Sequence, residues 1–77
     1  MEFLLVQFPS KRGVRIVNRL LRNELHATTN ETAEIEAGVY WITLEGPDDF
    51  TPTWKKVSLF ATAVNGRKEV TFEPKPV

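Results

Sequence analysis

The sequence has no cysteine, one histidine and no Gly-rich run, and each lack removes a class of function. Without cysteine there is no disulfide-stapled scaffold, no thiolate zinc site and no cysteine nucleophile. A single histidine, His26, cannot build a His-rich metal site, and no Ser-His-Asp relay can be assembled around it. It reads as a polar surface residue. Neither Gly46-Pro47 nor Asn65-Gly66 opens onto a helix followed by Lys and Ser or Thr, so no phosphate-cradling loop is present. Long apolar runs are also missing. None approaches the ~20 residues of a membrane span. The start, Met1-Glu2-Phe3-Leu4-Leu5-Val6, lacks the basic region and the long apolar stretch of a signal peptide. A cytoplasmic location is the default expectation.

What is present suits one small folded unit. A length of 77 residues predicts a single domain over 1–77. A chain this short buries only about 60% of its unfolded surface, so most of its apolar residues must serve the core. With 42% hydrophobic and 26% charged residues the composition is globular and argues against disorder. Net charge is zero, but it is blocked. Residues 1–26 hold five basic and two acidic side chains, residues 27–52 six acidic and no basic, and residues 53–77 five basic and two acidic. An acidic patch for a cationic partner is one reading of these blocks. Basic and acidic strands lying side by side is the simpler one.

The local patterns are mostly those of strands. Glu2 to Phe8 reads as a strand, and Pro9 to Gly13 as a loop. The strand is apolar from Phe3 to Val6 and carries no edge-protecting charge or proline inside it. It must therefore pair on both sides, within its own sheet or with a partner chain, and the first is favoured. Ala37-Gly38 reads as a turn, and Val39 to Leu44 as a central strand with Tyr40, Ile42 and Leu44 on one face. Glu45-Gly46-Pro47-Asp48-Asp49 ends it. Val57 to Val64 and Arg67 to Phe72 flank Asn65-Gly66, which predicts a type I′ hairpin with Leu59 opposite Phe72. Val14 to His26 is ambiguous. Val14, Val17, Leu21 and Leu25 have helical spacing, whereas Gly13 to Val17 is β-prone and a hairpin turning at Asn23 also fits.

The order of these signals resembles a PEGA-type domain, a prealbumin-like β-sandwich. Arg15-Ile16-Val17 is similar to its first strand and Thr29-Asn30 to its turn. Ile35 to Ile42 resembles its Gly-centred hairpin, Phe50-Thr51-Pro52 the loop that follows, and Val57 to Phe72 the closing pair of strands. The Pro-Glu-Gly-Ala signature itself is absent and the strand Glu2 to Phe8 is extra. The resemblance implies that Val14 to Leu21 is a strand. It also implies a non-catalytic, bacterial-type module embedded in larger proteins. The expected fold is an all-β sandwich of six or seven short, mainly antiparallel strands.

No enzyme site is expected, and no cofactor or metal. Asp48-Asp49 with Glu45 lacks the ligand spacing of a calcium loop and reads as a solvated turn. Asn30-Glu31-Thr32 fits a glycosylation sequon, but Asn30 is read as a turn residue. Lys11, Arg12, Arg15, Arg19 and Arg22 would make a basic stripe for nucleic acid, which the zero net charge disfavours. The candidate surface residues are Phe50, Trp54 and Trp41, since an exposed tryptophan anchors protein interfaces or stacks on sugars. The competing reading folds Phe50 and Trp54 back as a lid on the core. The function expected is that of a monomeric interaction or structural module with an unidentified protein partner. A carbohydrate-binding module using Trp54 is the alternative, and a small nucleic-acid-binding barrel the third reading.

Overall fold

The apolar stretch at the start of the chain becomes the middle of a sheet. In the computed structural model, which describes residues 1–18, Leu20 and residues 22–76, β1 (Glu2–Gln7) lies between β4 (Thr32–Ile35) and β8 (Lys68–Thr71). It runs antiparallel to β4 and parallel to β8. Both edges of the apolar strand are thus occupied within the chain, as its lack of protecting charge requires.

The second sheet is antiparallel throughout, in the order β3 (Asn23–Thr28), β2 (Gly13–Asn18), β5 (Gly38–Leu44), β7 (Lys55–Leu59). The ambiguous segment is a strand from Gly13, with Val14 and Ile16 fully buried and Arg15 and Val17 half-buried between them. It stops at Asn18, short of the expected Leu21, which lies outside the described residues. Asn18 pairs with Asn23, so the chain reverses before Asn23, with Arg22 at φ 54°. A third, two-stranded pair, β6 (Phe50–Thr51) with β9 (Glu73–Pro74), closes one end.

Among the described residues, seven of the nine strands are four residues or longer. The sheets face each other across one core. Leu4, Val6, Ile35 and Val70 come from the three-stranded sheet, and Val14, Ile16, Ile42, Val57 and Leu59 from the four-stranded one. Tyr40 and Leu44 of β5 with Phe8, Phe50 and Phe72 complete it.

Two expected hairpins are crossovers. The segments β7 and β8 do not pair: Leu59 sits opposite Gly38 of β5, and β8 joins β1. Neither Asn65 nor Gly66 has the positive φ that a type I′ turn needs, and the positive φ falls at Ala61, 57°. Phe60 and Val64, read as strand, are exposed loop residues. Likewise β4 and β5 belong to different sheets, so Glu36-Ala37 is a passage between layers and not a hairpin turn. The physical reason is common to both. Alternation determines which residues point inward, and two sheets facing one core satisfy the same alternation as one hairpin does.

An expected result follows for Gly66. An added Cβ there meets no atom within 4 Å, and its φ is not positive. Gly66→Val should change stability by no more than about 0.5 kcal/mol, measured by urea unfolding. A loss several times larger would reinstate the I′ hairpin.

The corner at Thr29-Asn30 ties the two layers together. Thr29 is buried, and its Oγ1 accepts from Arg12 N at 2.8 Å and donates to Ser10 O at 2.9 Å. Asn30, at φ 64°, donates from Nδ2 to Phe8 O at 2.8 Å and from its backbone N to Val6 O at 2.7 Å. Asn30 is a turn residue, and its amide is engaged in holding the end of β1.

Candidate interaction face

The outward face of the four-stranded sheet collects the residues of interest. Directly opposed residues in paired strands share a face. The register therefore sets Val17, Trp41 and Lys56 in one row and His26, Arg15 and Thr43 in the next. Trp41 stands at the centre of the sheet, half-buried, with Lys56 Nζ 5.9 Å from its ring centroid. Trp54 precedes β7 and reaches the same face, where the Arg15 guanidinium lies 5.8 Å from its ring centroid. Thr43 fastens the Trp54 loop by donating from Oγ1 to Thr53 O at 2.6 Å.

Arg15 also donates from Nε and Nη2 to Glu24 Oε1, at 2.8 and 2.6 Å. That hydrogen bond is the main cause holding the Glu24 carboxyl below its ordinary value. His26 lies 3.1 Å from Glu45 Oε1 and 3.5 Å from Glu24 Oε2. Arg15 and Lys56 are thus balanced by Glu24 and Glu45, and the face is aromatic and nearly neutral.

The three candidate surface residues separate. Trp41 and Trp54 share this face. Phe50 is only 3% exposed and packs edge-on against Phe72, with centroids 5.7 Å apart and planes at 85°. It is a core residue, so the lid reading holds for Phe50, while Trp54 is 40% exposed. Alternation along the strand already sets Val39 on one face with Trp41, and Lys56 follows Trp54 in sequence, but Arg15 and Val17 come beside the tryptophans only through strand pairing.

The basic stripe is dispersed. Arg12 forms a bidentate pair with Asp49, Arg15 is held by Glu24, and Arg19 lies outside the described residues. The acidic turn is dispersed as well, with Asp48 on Lys75 and Asp49 on Arg12. Among the described residues no group of His, Asp or Glu could hold a metal ion, and no helix is long and apolar enough to cross a membrane. No protein-family model, curated protein or solved structure matches the chain.

Among the described residues three carboxyls sit below their ordinary values. Asp49 is lowered first by its hydrogen bond from Arg12, Glu24 by that from Arg15, and Glu2 by the Thr62 backbone N–H and then the Thr62 hydroxyl. A depressed folded value stabilises the fold above the unfolded pKa and is lost as pH falls through the folded one. Stability should be level down to the ordinary values of 4.5 for Glu and 3.8 for Asp, and drop below them. In urea melts across that window, a triple variant Glu2→Gln, Glu24→Gln, Asp49→Asn should lose less than the wild type. An equal acid loss in both would assign it to other groups.

Proposed function

We propose that the chain is a non-catalytic β-sandwich module that binds a protein partner through the outer face of its four-stranded sheet. The observation that carries this is the meeting of Trp41 and Trp54 on one open sheet face, each with a cation over its ring. Val17, Val39 and the 92% exposed Leu20 extend the apolar part of the surface. Tryptophan and arginine at the centre of a patch, with polar residues around them, is the composition that dominates binding energy at protein interfaces. PEGA-type character belongs to the same proposal and rests on the order of strands and turns; the two hairpins it implies are crossovers here.

A carbohydrate surface built on Trp54 is the second reading, favoured by that ring's exposure. Against it, Arg15 occupies one face of the ring, where a sugar would stack. The balanced charge disfavours nucleic acid.

The test compares wild type with a Trp41→Ala/Trp54→Ala double variant whose folding is verified by urea melts. Chemical cross-linking in extract of the expressing cells should join a protein to the wild type and not to the double variant. Equal cross-linking of both would remove the face from the function. A saturable change of tryptophan fluorescence with added oligosaccharides would replace the protein reading by the carbohydrate one.

A further inference from the structure

The two main sheets are unequal, three strands against four, and the less covered edge of the larger one is β3. Leu25 pairs with the fully buried Ile16, so it belongs to the inward face. It is nevertheless 38% exposed, whereas Val57 and Leu59 on the opposite edge strand are buried. The three-stranded sheet reaches under β7 and stops short of β3.

Below the overhang is a cleft of about 330 Å³, lined by Asn23 and Leu25 from β3, Glu34 and Ile35 from β4, and the adjoining Glu36 and Tyr40, together with Asn18 and the N-terminal Met1. Among the described residues β4 pairs with β1 alone, so its other side is an outer edge of the sheet, and Glu34 and Ile35 set that edge on the cleft. The floor is apolar, from Ile35, Tyr40 and Leu25. The rim is acidic: Glu34 and Glu36 line it and form no ion pair with any described residue, whereas Asp48 and Asp49 elsewhere on the chain do.

We infer that this cleft is a strand-addition site, which takes an extended basic segment of a partner protein as a fourth strand beside β4. Three features specify that occupant. A free edge recognises extended backbone through ladder hydrogen bonds. The alternate side chains of an added strand would point inward onto Leu25 and Ile35, which asks for apolar residues at every second position. The remaining side chains would face the glutamates, which asks for lysine or arginine. Charge favours a basic segment over a second copy added through its own β4 edge, which would bring a second Glu34 and Glu36 against the first. This site lies on the open flank of the sandwich, apart from the tryptophan face, and either can fail alone.

The probe is the blocked peptide Lys-Val-Lys-Val-Lys-Val, titrated into the isotope-labelled full chain and followed by amide chemical shifts. Saturable shifts are expected at Thr32 to Glu36 and Asn23 to Thr28, with binding weakened by raising salt from about 0.05 to 0.2 M. Glu34→Gln/Glu36→Gln should bind about three- to tenfold more weakly, the scale of two exposed charge pairs. Leu25→Ser, at a partly exposed position, should weaken binding while the chain stays folded. The inference is overturned by absence of binding at millimolar peptide, by shifts centred on Trp41 and Trp54, or by equal binding of Glu-Val-Glu-Val-Glu-Val. It is also overturned if sedimentation shows the chain alone dimerising through this edge, with the dimer lost in the Glu34→Gln/Glu36→Gln variant.

Discussion

A chain lacking residues 1–8 is expected not to fold. Those residues supply β1, the one neighbour of both β4 and β8, so its removal dissolves the three-stranded sheet and not merely an edge of it. They also bury Leu4, Leu5, Val6 and Phe8. At about 1.5–3 kcal/mol for each fully buried large apolar side chain, the loss is on the order of 6–12 kcal/mol. That equals the whole stability of a typical domain, about 5–15 kcal/mol. Far-UV circular dichroism and amide shift dispersion of the truncated chain check this. A folded truncated monomer with wild-type stability would mean that β1 is dispensable and that the layer order is wrong. A folded truncated monomer replacing a wild-type dimer would mean that the segment pairs between chains.

Phe72→Ala should be the most damaging single truncation, at about 3–5 kcal/mol. Phe72 is the largest of the fully buried side chains, and its ring meets Phe50 edge-on at 5.7 Å. It stands between β8 and β9, and its backbone N donates to Gln7 O at 2.9 Å, so it joins the end clip to the three-stranded sheet. Urea unfolding of Phe72→Ala and of the milder Phe72→Leu gives the loss. A double-mutant cycle with Phe50→Ala should show a coupling of about 0.5–1.5 kcal/mol. A loss under about 1 kcal/mol for Phe72→Ala would contradict its burial.

Much of the inside was readable from residue order. The alternation in Val39 to Leu44 put Tyr40, Ile42 and Leu44 on one face, and all three are buried. The apolar run after Glu2, lacking protection, required two neighbours and has them. Asn30 behaved as a turn residue because asparagine tolerates positive φ and can bond to nearby backbone. The charge blocks meet only in part and through loops, Arg12 on Asp49 and Lys75 on Asp48, and not as the expected side-by-side strands. The closing hairpin was misread because Asn-Gly between β-rich runs is a strong local signal, and a local signal carries no information about competing neighbours. Here β7 pairs with β5 and β8 with β1, and neither pairs with the other.

The sequence by itself determined the β character of most segments, the grouping of Tyr40, Ile42 and Leu44 on one face and the lack of a thiolate site. All of these depend on residue type and on a period of two along the chain. The tertiary structure alone decided which strands became neighbours. That choice set Trp41 and Trp54 on one face, put Phe50 in the core beside Phe72, and left Leu25 over an open cleft. Strand partnership is a long-range property: any two strands with matching inward faces can pair, and the selection is made by how two whole sheets cover one core.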